Sequence, residues 1–402
     1  MLAITRPFSL VGSNMYADGL SIHLSDSPRL AALRAETPTE EAFDRLSGGE
    51  AHDLNNLLSP ILGYLIIINS VKRSLKMIFR YCLLILMLLL VPGQLFAATV
   101  FKFGHILKKT TAHHQNLVWA QQTIEEKFGT RYILEIYPEG SLGKTDLQVV
   151  EGFKAGTTNM AYLTCGHLID LYAPLAISSG PFVFRNFDHW KAFGKSDLFA
   201  ELVAGLRQQT GINAMGLAYY GERHVTTKTP LGQSLSLEGL LIRVPSIPVS
   251  LQTFRLLGAK PVPIPFHEVY QALQDGVVQA QENPLPAIKA MRFYEVTPVI
   301  NLTAHITDAQ LIVVNDKFWQ TIPADDRAQL AEIFKITGER VTADVRAAEI
   351  QLQEDFKQMG VTINPVDRSG YIDTIQVYHL DDKTFPWKSD VYQKIQQLQK
   401  IQ

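Results

Sequence analysis

Short strand patterns alternate with helical patterns along most of the chain, and this alternation limits the possible folds more than any other feature. Strand-like runs occur at 101–106, 132–137 and 159–163. Apolar residues at helical spacing occupy about 113 to 128 and then 147–156, each followed or closed by a glycine. A β-α-β-α-β order predicts an α/β fold with a mostly parallel sheet and helices on both faces.

The same order begins again in the second half of the chain. A strand pattern at 240–245 is followed by helical patterns at 251–257 and 268–275. Two copies of the alternation predict two α/β lobes, and the length of 402 residues is sufficient for them.

One long helix is predicted between Pro323 and Gly360. Asp325 and Asp326 lie in its first turn, where acidic side chains complement the helix dipole. About 35 residues at 1.5 Å each cover roughly 50 Å, so the helix is expected to cross both lobes. Its apolar stripe consists of Leu330, Phe334, Val341, Val345, Ala348, Leu352, Phe356 and Met359.

Composition and charge exclude several classes of function. Lys and Arg number 37 against 39 Asp and Glu, so no positive field favours nucleic acid as a partner. Cys82 and Cys165 have no disulfide or zinc-ligand spacing, and no catalytic or phosphate-binding motif is present. His113 and His114 are adjacent, point about 100° apart on a helix and are expected at the surface. We expect no enzyme, no metal and no cofactor.

The segment 71–98 has the order of a secretory signal peptide. Basic residues precede an apolar run at 81–91, and Pro92 and small residues ending at Ala98 follow it. The run is short for a bilayer span, which needs about twenty residues, although a retained membrane anchor is the alternative. We predict cleavage after Ala98 and a periplasmic mature protein.

Residues 1–70 precede this signal as an N-terminal extension. Within it, 48–64 contains His52-Asp53 followed by Asn55-Asn56-Leu57-Leu58 and resembles the phosphoacceptor helix of sensor histidine kinases. That resemblance implies phosphorylation of His52. No ATP-binding domain follows, so we interpret the extension as a kinase-like fragment or a misplaced start. The alternative is a periplasmic ligand sensor that feeds a two-component kinase.

Two polar residues lie in unusual settings. Arg243 lies within an apolar strand directly before Val244 and Pro245, where an unpaired guanidinium would be costly. It therefore faces either a protein carboxylate or a bound one. Asn283, between Glu282 and two nearby prolines, has an amide that is used either by an Asx turn or by a ligand.

Several motifs in order resemble the extracytoplasmic solute-binding proteins of tripartite ATP-independent periplasmic (TRAP) transporters. The likeness runs from about Phe101 to beyond Gly360. It is carried by Lys102-Phe103-Gly104-His105, Gly140-Ser141-Leu142-Gly143, Leu240-Leu241-Ile242-Arg243-Val244-Pro245, Pro263-Ile264-Pro265-Phe266-His267-Glu268, Gln281-Glu282-Asn283-Pro284 and Phe293-Tyr294-Glu295-Val296.

The resemblance implies a binding site for a small organic acid. It implies that Arg243 forms a bidentate salt bridge with the ligand carboxylate, with Arg223 and Asn283 beside the same group. Phe266 would form an aromatic wall of the pocket, and His305 would lie near the ligand. The remaining residues expected to shape the pocket are Thr164, Tyr220 and His114. Thr164 stands where sialic-acid-binding members carry a glutamate, which disfavours that ligand.

The resemblance also implies lobe boundaries, a mechanism and partners. One lobe would comprise 99–220 and 309–348, and the other 221–308 and 349–402. The two lobes would close around the acid. The ligand would favour the closed state by the free energy by which it binds that state better than the open one. The expected partners are the ligand and the membrane subunits of the transporter, with the mature protein a monomer.

Overall fold

The computed structural model describes residues 40–89, 98–232 and 237–398, and the chain divides into two compact units between Leu95 and Phe96. The N-terminal unit contains helix α1, Glu40–Leu89, which includes the 48–64 segment. The side chain of His52 and the residues 90–97 of the predicted signal peptide lie outside what is described. Within the described ranges, no helix combines the length and apolar character that crossing a membrane requires.

The second unit contains a nine-stranded mixed sheet. Its strands are β1 Thr99–Gly104, β2 Tyr132–Tyr137, β3 Met160–Thr164, β4 Ile212–Thr227, β5 Leu241–Val244, β6 Lys260–Pro263, β7 Ala280–Pro284, β8 Val299–Asn315 and β9 Thr362–Asn364. Its helices are α2 Ala112–Phe128, α3 Asp146–Ala155, α4 Ile169–Tyr172, α5 Phe187–Gly194, α6 Asp197–Thr210, α7 Pro248–Leu256, α8 Val269–Gln274, α9 Leu285–Ala290, α10 Asp316–Trp319, α11 Ala324–Gln358, α12 Ser369–His379 and α13 Ser389–Gln397.

The sheet is parallel at both ends and antiparallel at its centre. The strand order is β2-β1-β3-β8-β4-β7-β5-β6, with β9 paired to β8. β1 pairs in parallel with β2 and β3, and β5 pairs in parallel with β6 and β7. β8 is antiparallel to β3 and β4, and β4 is also antiparallel to β7. The parallel pairing predicted from the alternation is confirmed for the outer strands, whereas the two long central strands depart from it.

The two long strands β4 and β8 pair along most of their length, with three irregularities in register. One irregularity lies between Tyr219 and Gly221, where the backbone of Gly221 has φ +122°. That conformation is open to glycine and strained for other residues. The predicted lobe boundaries at 220 and 308 both fall within these strands.

Helix α11 has the length and position expected from its apolar stripe. Leu330 and Phe334 pack in a core cluster with β1 and α2, whereas Leu352 and Phe356 pack in a second cluster with α8 and α9. Its two ends therefore stabilise opposite ends of the sheet. Met359 is 41% exposed, so the buried stripe ends one turn earlier than predicted.

Close approach of α11 to β4 depends on a glycine. A Cβ atom built on Gly338 would lie 2.6 Å from the carbonyl oxygen of Leu217. That separation is well inside van der Waals contact, so helix and strand can approach this closely only without a side chain there.

Candidate functional site

Arg223 is held by two carboxylates in the middle of the sheet. It lies on β4 opposite Pro284 of β7, next to Glu282. Its Nη2 donates to Oε1 of Glu282 at 2.7 Å, its Nε donates to the other oxygen of that carboxylate, and its Nη1 donates to Oδ2 of Asp308 at 2.9 Å. Arg223 is a predicted ligand residue, and in this structure its guanidinium is already paired within the protein.

Electrostatics keep this group ionised. Burial alone would lower the pKa of Arg223, but the carboxylates of Glu282 and Asp308 raise it above the usual arginine value. Burial would raise the pKa of Glu282, yet Arg223 and His305 lower it to about 2. The pair therefore stays charged at any physiological pH.

Asn283 and His305 belong to the same buried network. The Asn283 amide donates to Oε1 of Gln281 at 2.6 Å and accepts from Nη2 of Arg223 at 3.2 Å. His305 places Nε2 3.1 Å from Oε2 of Glu282. Asn283 lies in an extended strand, so the Asx-turn alternative does not describe it.

Arg243 differs from Arg223 in having no acidic partner. It lies on β5 and is 2% exposed. Its Nε and Nη2 both donate to the carbonyl oxygen of Ile264, at 2.9 and 2.7 Å. No carboxylate within the described parts of the chain lies within 4.0 Å of it. The internal ion pair that the sequence left open is therefore not formed in this structure.

The environment of Arg243 penalises its charge. Burial lowers its pKa to about 10; nearby Arg223 adds to this effect, and Glu282 opposes it. A buried cation whose hydrogen bonds go to one neutral carbonyl remains able to gain from an anion.

A small cavity of about 20 Å³ is lined in part by Tyr220, which lies within electrostatic range of both arginines. Phe266, two residues after the carbonyl that Arg243 contacts, lines it together with Tyr220. Burial raises the pKa of the Tyr220 hydroxyl, and the charges of Arg223 and Arg243 act on it in the opposite direction, which places both arginines within electrostatic range. Of the predicted site residues, Tyr220 and Phe266 line the cavity directly. The other lining residues are Leu107, Lys108, Thr111, Ala112, His113, Pro286, Ala287, Ala290, Met291 and Val345.

Thr164 lies at the end of β3 and is buried. Its hydroxyl donates to Oδ2 of Asp146 at 2.6 Å and accepts from the side-chain amide of Gln310 at 3.1 Å. Burial opposes the charge of Asp146, but His167 and Thr164 lower its pKa below the usual range. Thr164 thus orders a buried carboxylate and does not line the cavity.

The prediction that His113 and His114 are surface residues is wrong. They are 3% and 8% exposed, because His113 packs against Tyr162 of β3 and His114 against His105, which directly follows β1. Nδ1 of His114 lies 3.1 Å from Nε2 of His105, so His114 is partnered within the protein. His113 lines the cavity and contacts the ring of Tyr220.

Three residues of this region were not assigned a role from the sequence. They are Glu282, Asp308 and Asp146. Glu282 carried a usable signal, because an acidic residue sits within a short β-strand directly beside Asn283. The contacts of the other residues follow from the pairing of strands that are distant in the sequence.

The chain resembles known proteins over most of the second unit. The family model described as "Bacterial extracellular solute-binding protein, family 7" matches residues 103–381. The sialic acid-binding periplasmic protein of Vibrio cholerae serotype O1 is 30% identical over 281 residues, which cover 70% of this chain and 87% of that protein. The 2,3-diketo-L-gulonate-binding periplasmic protein of Escherichia coli K12 is 25% identical over 307 residues, 75% of this chain and 93% of that one.

A solved structure has the same fold. A TRAP periplasmic solute-binding protein from Haemophilus influenzae, determined with bound L-gulonate, has a TM-score of 0.70 and 24% sequence identity. The alignment covers 75% of this chain and 99% of that protein. Fold and relatives together define a solute-binding protein of the transport class.

The chain belongs to the bacterial extracellular solute-binding proteins of family 7. The TRAP family resemblance noted from its motifs is thereby confirmed. The matched region begins at residue 103 and does not include the 48–64 segment.

Proposed function

We propose that this protein captures a small organic acid through its carboxylate and delivers it to the membrane subunits of a TRAP transporter. One observation carries the proposal: the guanidinium of Arg243 is buried and has no carboxylate partner among the described residues. A planar fork of donors is suited to a bidentate bond with a carboxylate. A ligand would supply the missing negative charge.

Arg223 has a supporting role in this proposal. Because Glu282 and Asp308 neutralise it, it adds little net positive charge to the site. It holds the oxygen of the Asn283 amide, which fixes the orientation of that side chain beside the proposed carboxylate position. Phe266 and Tyr220 form apolar walls that exclude water and strengthen the ion pair.

The relatives support an organic acid as the ligand class. The names of the three proteins described above refer to sialic acid, 2,3-diketo-L-gulonate and L-gulonate. Thr164 stands where the family resemblance implies a glutamate in sialic-acid binders, so we propose a different acid for this chain.

Closure of two lobes is the proposed mechanism of capture. The lobes are those predicted from the sequence, 99–220 with 309–348 and 221–308 with 349–402. Both long strands and α11 would pass between them, and the register irregularity at Gly221 lies at the proposed boundary. Ligand binding would favour the closed form because only that form contacts the acid from both lobes.

Export and delivery complete the proposal. The family is extracytoplasmic, and we propose that the 71–98 segment acts as a cleaved signal peptide. The mature protein would then meet the transporter's membrane subunits in the periplasm. Binding and release, without chemical conversion, is the role we propose for the site.

A ligand panel tests the function. Purified protein is mixed with monocarboxylates, hydroxy acids and dicarboxylates of three to nine carbons, and the melting temperature is recorded. An acid at a hundred times its dissociation constant adds about 2.7 kcal/mol to the stability of the folded state, which raises the melting temperature measurably. Native mass spectrometry of freshly purified protein provides a second readout by detecting a bound acid. No shift with any acid and no carried-over ligand would contradict the proposal.

A further inference from the structure

His113 occupies a position that the proposed function does not yet use. Its ring packs between two tyrosine rings, Tyr162 at 5.2 Å and Tyr220 at 5.4 Å, each nearly perpendicular to it. The hydroxyl of Tyr162 donates to the backbone carbonyl of His113 at 3.1 Å, which fixes this turn of α2. The imidazole is thus held rigidly at the wall of the cavity.

Its Nε2 atom lacks a hydrogen-bond partner. The atom is buried, and none of the described residues lies within bonding distance of it. Buried polar atoms are rarely left without a partner, because the lost hydration costs free energy. A ligand group at this wall of the cavity would supply a partner for Nε2.

The charges around His113 indicate which ligand group would bond to its Nε2 atom. Burial and nearby His105 lower the pKa of His113 to about 3 against the opposing effect of Asp146, so the ring is neutral near pH 7. Asp146 carries a negative charge on the same side. Among the described residues that line the cavity, Lys108 carries a positive charge. That charge is already paired, because its Nζ lies 3.8 Å from a carboxylate oxygen of Glu139. A second ligand carboxylate would therefore gain little here, whereas a hydroxyl can donate to or accept from a neutral imidazole.

We propose that His113 is a specificity-determining residue that hydrogen-bonds a hydroxyl group of the bound acid from the α2 side of the cavity. The ligand is then a hydroxylated monocarboxylate, not a dicarboxylate or an unsubstituted fatty acid. This inference rests on the proposed function, since it assigns the second end of the same ligand. A site built around a buried hydrogen-bonding atom discriminates strongly against an analogue that leaves the atom unpaired.

Three six-carbon acids test the inference: L-gulonate with hydroxyls, hexanoate with none, and adipate with a second carboxylate. Affinities are measured by calorimetric titration for the unmodified protein and for His113→Phe, which keeps a buried ring and removes both nitrogens. We expect L-gulonate to bind tighter than hexanoate and adipate. His113→Phe should reduce the preference for L-gulonate over hexanoate by about tenfold, the value of one hydrogen bond.

Two further variants serve as controls. His113→Gln retains an amide donor on a side chain of similar reach and should recover part of the preference. His189→Phe removes a buried histidine whose Nε2 contacts the carbonyl of Ile395, away from the cavity, and should leave the preference unchanged. Because the readout is a ratio of affinities within one variant, a general loss of stability does not imitate the effect.

The outcomes separate the two proposals. Tightest binding of adipate, or an equal loss for L-gulonate and hexanoate in His113→Phe, would overturn the role of His113 while leaving acid capture intact. Failure of all three acids to bind, together with failure of the wider acid panel, would contradict the proposed function and this inference with it.

Discussion

Nη2 of Arg223 lies 2.7 Å from Oε1 of Glu282, and both side chains are almost completely buried. Asp308 contacts the same guanidinium, so the two acids and the arginine form one network in the centre of the sheet. Arg243 lies close enough for its charge to affect theirs but has no acid of its own. The two arginines therefore differ, since one is paired with acids of the protein and the other bonds to a neutral carbonyl.

Glu282→Gln should destabilise the protein strongly. Removing one member of a buried ion pair costs about 3–5 kcal/mol, because the remaining charge is left poorly compensated. Urea unfolding of the ligand-free protein measures the effect. Glu354→Gln is the matched control, since Glu354 pairs with Lys357 at 3.4 Å on the exposed face of α11 and should cost under about 1 kcal/mol. Similar losses in both variants would contradict the structural role of the network.

Stability should fall as pH rises through the titration of Glu349. This residue of α11 is 4% exposed, and burial raises its pKa to about 7 although Tyr219, Arg346 and the backbone N–H of Glu222 donate to it. The folded state then binds the proton more tightly than the unfolded state, whose pKa is near 4.5. The contribution is fully present below pH 4.5 and is lost as pH rises through 7.

Glu349→Gln tests this titration. The variant cannot ionise at this position, so its stability relative to the unmodified protein should increase by about 2.5 kcal/mol between pH 5 and pH 8. Urea unfolding at several pH values provides the curve. Parallel pH profiles for the two proteins would show that Glu349 does not titrate in this range.

Gly338→Ala should separate α11 from β4. The added methyl group would collide with the carbonyl oxygen of Leu217, and overpacking of this kind costs about 1–3 kcal/mol. Gly370→Ala in α12 is the control, because no atom lies within 4 Å of the added Cβ and alanine favours helix. Thermal unfolding should show a loss for the first variant only. A neutral Gly338→Ala would contradict the close contact of helix and strand.

The mature protein should begin near Thr99. Mass spectrometry of protein isolated from the periplasm should find no peptide from before the predicted cleavage site at Ala98. Peptides from residues 1–70 in the exported species would contradict the proposed signal peptide and favour a retained extension.

Local patterns predicted helices α2, α3, α7, α8 and α11 and strands β1, β2, β3 and β5, whereas the edge strand β6 and the other helices of the second unit were not predicted. α2, α11 and β2 each carry their own apolar spacing and end signals, and their bounds agree with the structure to within a few residues. The long strands β4 and β8 were not predicted, because they are antiparallel partners from distant parts of the sequence. Burial of Glu349 within the apolar face of α11 has the same origin, since its partners are on β4.

The sequence predicted some residues of the candidate site but not their partners. Arg243 stood out as a charge inside an apolar strand, and the structure places it there without an acid. The partners of Arg223 could not be predicted, since they follow from the pairing of β4 with β7 and β8. His113 was expected at the surface because it lies at the start of a helix, and only its packing against Tyr162 of β3 and Tyr220 of β4 reveals the unpartnered nitrogen.

The most direct test of the account is a calorimetric titration of Arg243→Ala with an acid that binds the unmodified protein, combined with urea unfolding of the ligand-free variant. Losing the guanidinium should weaken binding by roughly 2–5 kcal/mol, a thirtyfold or greater loss of affinity, and Arg243→Lys should be intermediate because it keeps the charge without the fork. The ligand-free variant should unfold at nearly the same urea concentration, since no carboxylate of the described residues lies within 4.0 Å of Arg243. A large loss of stability with unchanged affinity would contradict the account and assign Arg243 to the fold.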